Sequence, residues 1–371
     1  MRLCVLIPAK DERLGIAKTV RSVINAGVLP ADIYVVDDGS SDGTGAIALS
    51  YGVNVLRNEK NISKDKSIER ATRYFQLTRC YDVVSLMDAD TEVSPNYYHE
   101  VRRAFTPKTP AHWQLRLAES HLGRFLLWSM GVSWQTGKIA AVCGQAKSEP
   151  CNGITAYRAM AYCAGQFIFK TGQARMGVIT VAPGCAASYT SSVFAQLKWT
   201  RDTIVEDMDV TIQIHRKNLG RIVYAPNAQV FTQDPRTIRD YAKQMFRWQT
   251  GNWQIGKKHG LIGWSFKRID WEYKLMMLEG LLFSTILFAS TLWFIVGTKP
   301  TELGYAFLAN LAWITVQALA CAAAERRLDI LLYAPLYPFL GYLDCGIFIY
   351  SFWKTVARRQ RVHSWNKVKR Y

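Results

Sequence analysis

Short apolar runs alternate with helical patterns along the first quarter of the chain. Four β-rich runs, each closed by polar or turn residues, lie at residues 3–7, 33–36, 53–56 and 83–87. Between them, apolar side chains recur at helical spacing, at Ile16, Val20, Val23, Ile24, Ile68, Ala71 and Phe75. Strands that alternate with helices predict an α/β fold with a mostly parallel sheet and right-handed crossovers.

Acidic residues directly follow two of these runs. Asp37 and Asp38 close the second run, and Asp88 and Asp90 close the fourth. Ligands of parallel α/β sheets bind beyond the carboxyl ends of the strands. The pattern therefore predicts a binding site at that edge of the sheet.

The last part of the chain is dominated by apolar segments, at residues 275–296, 303–324 and 330–353. The first two are close to the roughly 20 residues that a bilayer requires, so we predict two membrane spans. The third contains Pro335, Pro338, Gly341 and Asp344. A third full crossing would also place Arg326-Arg327 and the basic residues after 353 on opposite sides of the membrane. The positive-inside rule favours the cytosolic side for both. We therefore favour a broken, re-entrant or interfacial third segment over a plain span.

Two further segments lie between the regions described so far. The apolar and aromatic stretch at residues 112–136 fits an interfacial helix lying on a membrane or a core helix equally well. Residues 261–274 are expected to form an interfacial linker between a soluble region, residues 1–260, and the membrane region, residues 275–353. We expect a basic juxtamembrane tail at residues 354–371.

A net charge of +17 narrows the range of partners. Such a charge suits nucleic acid, an anionic membrane face or phosphorylated ligands. Because the basic tail follows an apolar segment, anchoring on anionic lipid is favoured over a solvated tail, and no recognised motif indicates nucleic acid. The eight cysteines have no CxxC or zinc-ligand spacing, and no signal-peptide pattern precedes the first strand. We expect reduced thiols and a catalytic region in the cytosol.

Two more motifs lie farther along. Glu206-Asp207 opens a helical run, and Gln244, Arg247 and Trp248 share one face of a helix predicted at residues 237–250 because they are three and four positions apart. In Asp88-Ala89-Asp90, strand alternation points both carboxylates to one side. Two adjacent carboxylates suit a hard divalent cation.

These motifs, in this order, resemble those of the family 2 glycosyltransferases. The similarity covers about residues 1–260 and is closest to the membrane-bound synthases of cellulose, chitin, hyaluronan and poly-N-acetylglucosamine. It implies a GT-A catalytic domain followed by C-terminal transmembrane helices in the plasma or inner membrane. The implied reaction is an inverting, metal-dependent transfer of a sugar from a nucleoside diphosphate sugar, with UDP expected, to a growing polysaccharide.

The resemblance also implies a role for each motif. Asp207 would be the general base with Glu206 beside it, and Asp90 would bind Mg²⁺ or Mn²⁺ directly, with Asp88 on the ribose or the metal. Donor contacts would come from Pro8, Ala9, Glu12, Asp37, Asp38, Lys66, Asp88 and Arg247. Acceptor contacts would come from Gly184, Cys185, Gln244 and Trp248.

Several alternatives stay open at this stage. Lys64 is an alternative to Lys66 as the lysine that binds the diphosphate. The family usually has a glycine immediately before this lysine, and Asp65 stands in that position before Lys66. Asp37 and Asp38 also fit an Asx-turn.

For the function, transfer to a polyprenyl-phosphate or other lipid-linked acceptor is the main alternative. A non-catalytic scaffold would not need all of the motif residues, and a nucleotidyltransferase would not require the helix of Gln244 and Trp248. Two or three spans are few for a self-contained channel, so we expect membrane lipids and a second copy or a channel partner alongside the saccharide acceptor.

Overall fold

The computed structural model describes residues 1–106, 112–117, 119–120, 123, 126, 137–149, 151–261, 263, 267–297 and 300–358. The chain forms two compact units. The first, here the sheet unit, contains residues 1–146, 166–200 and 206–232. The second, here the helical unit, contains residues 147–165, 201–205 and 233–371.

The strands of the described residues form a single mixed sheet. They are β1 (Leu3–Ala9), β2 (Ile33–Asp37), β3 (Asn54–Arg57), β4 (Val83–Leu86), β5 (Thr91–Val93), β6 (Ile139–Ser148), β7 (Ala187–Thr190) and β8 (Arg221–Thr232). Their order is β3-β2-β1-β4-β7-β6-β8-β5. The four strands predicted from the sequence are confirmed as β1 to β4, with ends that differ by one or two residues.

The expectation of a mostly parallel sheet is correct for only half of it. β1 pairs in parallel with β2 and β4, and β2 pairs in parallel with β3. β7 is antiparallel to β4 and β6, and β5 is antiparallel to β8. A parallel pair needs a long, usually helical crossover, and the strand–helix alternation in the sequence extends only to about residue 87.

Helices make up most of the remaining described structure. The α-helices are α1 (Ile16–Asn25), α2 (Thr44–Leu49), α3 (Lys64–Tyr74), α4 (Leu77–Cys80), α5 (Tyr97–Phe105), α6 (His112–Leu117), α7 (Gly153–Cys163), α8 (Thr171–Met176), α9 (Ser191–Phe194), α10 (Glu206–Arg216), α11 (Ile238–Lys258), α12 (Arg268–Gly297), α13 (Pro300–Glu325), α14 (Asp329–Leu332) and α15 (Tyr337–Phe352). Single 3₁₀ turns lie at Pro30–Asp32 and Ala334–Leu336, and π-helical segments at Ala164–Lys170 and Trp353–Ala357.

The sheet is covered on both faces where the parallel strands lie. Val5 and Ile7 of β1 belong to one apolar cluster, which includes buried side chains of α1 and α5. Cys4 and Leu6 belong to a second cluster, which includes Ile68 of α3. Because each fully buried aliphatic side chain stabilises the fold by about 1.5–3 kcal/mol, β1 is a firm support for the residues that follow it.

The two long helices of the helical unit match the predicted spans in position. Among the described residues, two stretches are long and apolar enough to cross a membrane, Ile269–Leu292 and Phe307–Glu325, with mean hydropathies of 1.8 and 1.6. Only 11% and 17% of these windows are buried. Their apolar side chains therefore mostly face away from the protein, unlike those of a core helix.

The third apolar segment is interrupted. It is divided into α14, a 3₁₀ turn and α15, with Pro335 and Pro338 near the breaks. Proline lacks the backbone N–H that continues a helix, and the 16 residues of α15 are fewer than the roughly 20 of a span. The topology of this segment stays a prediction. Most of the expected interfacial helix at residues 112–136, and residues 359–371 of the expected tail, lie outside the described residues.

Candidate active site

The carboxyl ends of β1, β2 and β4 meet at one edge of the sheet. Ala9, the last residue of β1, pairs with Asp37, the last residue of β2. The Asp38 N–H donates to the Ala9 carbonyl oxygen at 2.8 Å. Glu12 is buried, and its carbonyl oxygen accepts from the Ile16 N–H at the start of α1.

Asp37 and Asp38 are buried at this edge, with 2% and 4% of their surface exposed. Asp37 Oδ1 accepts a hydrogen bond from the Ser40 N–H at 2.8 Å, which is the Asx-turn alternative. The Asp38 carboxylate accepts from the N–H groups of Ile62 and Ser63, at 2.8 and 3.0 Å, and from the Asn58 amide at 2.8 Å. These oxygens hold the neighbouring loops, and the expected contact of this pair with the nucleotide stays a prediction.

A lysine bridges two other carboxylates. Lys64 Nζ lies 2.7 Å from Asp88 Oδ1 and 2.6 Å from Glu206 Oε1. The side chains are 33%, 34% and 24% exposed, respectively, so this bridge is open to solvent on one side. Burial alone would lower the pKa of Lys64, but Asp88 and Glu206 raise it above its ordinary value. Lys64 in turn holds the pKa of Glu206 below its ordinary value, against the effect of burial.

Asp207 lies beside this bridge in the first turn of α10. Its Oδ1 accepts from the Met208 N–H at 2.8 Å, and its Oδ2 accepts from the Gly184 N–H at 3.2 Å. Burial raises the pKa of Asp207 above the ordinary aspartate value, and the negative charge of Glu206 raises it further. A carboxylate with increased proton affinity and a fixed orientation is suited to general base catalysis.

The loop before β7 closes the cluster. A Cβ atom added to Gly184 would lie 3.6 Å from Lys64 Nζ, 3.7 Å from Asp207 Cβ and 4.0 Å from Asp88 Oδ2. Burial raises the pKa of the Cys185 thiol, and the charges of Asp88, Asp207 and Asp90 add to this effect. The structure therefore brings Asp88, Asp90, Glu206, Asp207, Gly184 and Cys185 together.

Lys66 does not belong to this cluster. Its side chain is exposed and lines a surface depression with Arg70 and Arg73. Two positions along a helix correspond to about 200° of rotation, so Lys64 and Lys66 point to opposite sides of α3. The expected donor contact of Lys66 needs correction, and Lys64, the alternative, is the lysine at the site.

The backbone gives the reason for this misplacement. Ser63 has a φ of +94°, which a residue with a side chain rarely adopts and which glycine adopts readily. The glycine-like position is therefore Ser63, immediately before Lys64, and not Asp65. A Ser-Lys pair in place of Gly-Lys is the sequence signal that identifies the correct lysine.

The carboxylates fit a divalent cation that is shared with a substrate. Within the described ranges, no group of three or more His, Cys, Asp or Glu side chains is arranged to hold a metal ion. Mg²⁺ commonly uses only one or two carboxylates, with substrate phosphates completing its ligands. Asp88 and Asp90 are oxygen ligands of this kind, and they lie in the cluster around Lys64.

The aromatic motif lies in the helical unit, on α11. Gln244, Arg247 and Trp248 are on this helix as predicted. The buried Arg158 of α7 has its guanidinium carbon 4.6 Å from the centre of the Trp248 ring and 4.4 Å from that of Tyr162. This cation–π contact covers part of one face of Trp248.

Sequence reasoning missed two groups that support α11. Arg158 pairs with Asp234, at 3.4 Å. The Tyr241 hydroxyl donates to Asp344 Oδ1 at 2.6 Å, and the Tyr157 hydroxyl donates to Asp344 Oδ2 at 2.9 Å. Arg158 and Asp344 are each a single charged residue within an otherwise apolar segment. Because a charged group is buried only with polar partners, this pattern is the sequence signal that could have identified them.

Comparison with known protein families identifies the chain. The glycosyl transferase family 2 model matches residues 4–111, and the glycosyl transferase family group 2 model matches residues 134–324, more than half of the chain. The chain belongs to glycosyl transferase family group 2. This glycosyltransferase uses a nucleotide-sugar donor, as its family does.

Relatives with curated names agree with the family. The glycosyltransferase is 25% identical over an alignment of 332 residues to the probable glycosyltransferase YdaM of Bacillus subtilis (strain 168), and the match covers 84% of this chain and 70% of YdaM. It is 25% identical over an alignment of 264 residues to the hyaluronan synthase of Streptococcus pyogenes, and that match covers 67% of this chain. The matched region spans only 56% of that synthase.

A solved structure shares the fold. The mannosyltransferase PcManGT of Pyrobaculum calidifontis, in complex with GDP-Man and Mn²⁺, is similar with a TM-score of 0.55. The similarity covers 92% of this glycosyltransferase and 87% of PcManGT, at 16% sequence identity. At this identity the comparison supports the GT-A-like α/β fold.

Proposed function

We propose that this glycosyltransferase is an inverting, metal-dependent enzyme of the cell membrane that adds sugars from a UDP-sugar to a growing polysaccharide. The observation that carries the proposal is the cluster around Lys64, in which Asp88, Glu206 and Asp207 meet at the carboxyl edge of the sheet. Ligands of such sheets bind at this edge.

Asp207 is proposed as the general base. It removes the proton from the acceptor hydroxyl while that oxygen attacks the anomeric carbon and the diphosphate leaves. Two backbone N–H groups orient its carboxylate, and its raised pKa increases its affinity for the proton. A single displacement inverts the configuration of the sugar and needs no second carboxylate as a nucleophile.

The donor diphosphate is proposed to bind at Asp88, Asp90 and Lys64. A Mg²⁺ or Mn²⁺ ion held by the two aspartates would neutralise charge on the leaving diphosphate. Lys64 is a basic side chain of the cluster, and Arg247 would add a bidentate phosphate contact. Pro8, Ala9 and Glu12 are proposed to form the nucleobase side, and Asp37 and Asp38 to hold that side in shape.

The acceptor is proposed to stack on Trp248, with Gln244 beside it. The side-chain oxygen Oε1 of Gln244 is buried and has no hydrogen-bond partner among the described residues. Gly184 and Cys185 line the carboxylate cluster and would meet the reacting end of the acceptor.

Helices α12 and α13 are proposed to cross the membrane, with the catalytic residues on the cytosolic side. Leu282, Phe283 and Ile286 of α12 are 51%, 64% and 62% exposed, which suits contact with lipid chains. The similarity to hyaluronan synthase supports a processive reaction. The alternative, single transfer to a lipid-linked acceptor, is supported by the small number of candidate spans, since a channel would then need a second copy or a partner.

The test is UDP release from a panel of UDP-sugars by the full chain in nanodiscs with Mn²⁺ or Mg²⁺, followed by sizing of the product. Release with one donor and a long product supports the polysaccharide synthase. Release with a product that carries one added sugar on a lipid supports the alternative. Release that does not require a divalent cation contradicts the metal-dependent mechanism, and GDP-sugars form the second panel if no UDP-sugar reacts.

A further inference from the structure

We propose that Lys64 is an internal counter-ion that competes with the divalent cation for Asp88, so that tight metal binding requires the donor diphosphate. This inference rests on the proposed function, because it concerns the order in which the same site fills. It assigns Lys64 a role before the donor arrives, when the bridge to Asp88 and Glu206 is in place.

The bridge places a positive charge where a metal ion would need to approach. Lys64 Nζ donates to Asp88 Oδ1 at 2.7 Å, and it lies 2.6 Å from Glu206 Oε1. Both distances are short, as expected for charge-assisted hydrogen bonds. A cation that binds Asp88 must either displace this ammonium group or lie close to it, and two like charges at such a separation repel each other.

The backbone under Lys64 is fixed, so the side chain is the part that can change partner. The N–H groups of Ile62 and Ser63 donate to the buried carboxylate of Asp38. Lys64 follows as the first residue of α3. The long side chain of lysine has several rotatable bonds, and it can therefore leave Asp88 without movement of the loop.

The consequence is coupling between two ligands. A nucleoside diphosphate offers Lys64 a different anion, and the transfer of Lys64 to that anion removes its competition with the metal at Asp88. Each ligand then increases the affinity of the other by the same factor, because linkage is reciprocal. The metal alone has to compete with Lys64 and binds weakly.

The experiment measures Mn²⁺ binding by electron paramagnetic resonance of free Mn²⁺, with and without UDP, using the full chain in nanodiscs. In Lys64→Met, we expect Mn²⁺ without UDP to bind about tenfold more tightly than in the wild type, within the range of typical coupling factors. The factor by which UDP increases Mn²⁺ affinity should fall correspondingly. Lys64→Arg keeps the charge and should keep the weak binding of Mn²⁺ alone.

Lys66→Met is the matched control. It removes the same charge from the same helix, but at an exposed position on the opposite side, so its Mn²⁺ binding should equal that of the wild type. If Lys64→Met is not folded, as judged by gel filtration and thermal unfolding, Lys64→Gln takes its place with the same expected result.

The outcomes separate this inference from the proposed function. Mn²⁺ binding in Lys64→Met, or in Lys64→Gln where that takes its place, that is no tighter than in Lys66→Met overturns the counter-ion role. If UDP still increases Mn²⁺ affinity in the wild type in that case, the metal-dependent transferase stands. If UDP and Mn²⁺ bind to the wild type independently, both the proposed metal site and the inference are wrong.

Discussion

Two groups of carboxylates lie at the same edge of the sheet, and they differ in what binds them. Asp37 and Asp38, after β2, are almost completely buried, and Asp38 is held by donors from residues 58–63. Asp88 and Glu206 are about a third and a quarter exposed, and they share the ammonium group of one lysine.

The difference separates a structural role from the proposed catalytic one. Backbone N–H groups cannot leave a carboxylate without a change in the loop, whereas a lysine side chain can turn away. A buried group that loses its partner costs about 1–3 kcal/mol, so the first group resists change. The second group can exchange its partner for a substrate.

The largest expected effect comes from Asp207, which lies beside the second group. Asp207→Asn removes the proposed base and should lower the rate of sugar transfer by about 10²- to 10⁴-fold. Donor affinity, measured by isothermal titration with UDP and Mn²⁺, should stay within about threefold because the diphosphate contacts are unchanged. A donor affinity that falls in parallel with the rate would assign Asp207 to donor binding instead.

Asp90→Ala tests the metal ligand. We expect UDP affinity in the presence of Mn²⁺ to fall by about tenfold or more, a typical loss when a metal site is damaged. Affinity in the presence of EDTA should be the same in the variant and the wild type. An equal loss under both conditions would show that Asp90 contacts the nucleotide directly.

Substitutions in the two groups should differ in how far they lower stability. Asp38→Ala removes a buried acceptor that receives three hydrogen bonds and should destabilise the fold by about 3 kcal/mol, which lowers the midpoint of thermal unfolding by about 6–12 °C. Asp88→Ala, the matched variant from the second group, should lower it by less than about 2 °C, since Lys64 keeps Glu206. Equal decreases in the two variants would remove the distinction between the groups.

The smallest expected effect is a shift in pH dependence. Asp207 acts as a base only when it is deprotonated, so the rate should rise with pH through its pKa, which lies above the ordinary aspartate value. Glu206→Gln removes a negative charge that raises this pKa, and the acid limb of the kcat/KM profile should therefore move to lower pH. Movement of the acid limb to higher pH would mean that Glu206 affects the pKa of Asp207 mainly through its contact with Lys64.

The sequence predicted the parts of the fold and site that depend on local pattern. The four parallel strands follow from short apolar runs, and the carboxylates of Asp88 and Asp207 follow from motifs that end a strand or begin a helix. The antiparallel half of the sheet could not be predicted in this way, because its pairings join distant segments. β5, for example, pairs with β8, more than 120 residues later.

The choice between Lys64 and Lys66 shows a second limit. Spacing alone gives two lysines two positions apart, and only the backbone conformation of Ser63 decides which one reaches the site. The partners of Asp38 and of Trp248 were also beyond reach, since Arg158 and residues 58–63 are brought to them by tertiary packing. A motif thus identifies a functional side chain but does not say which other residues contact it in the folded protein.

Ser63 has one further consequence, for engineering. A serine with a φ of +94° carries a backbone cost of about 1–3 kcal/mol that a glycine would not. Glycine would remove that cost, but it would also make the backbone immediately before Lys64 more flexible. The natural sequence therefore keeps a restricted backbone at Ser63 beneath the mobile side chain of Lys64. In Ser63→Gly, the thermal stability of the protein would rise, but the position of the Lys64 side chain would be less well defined.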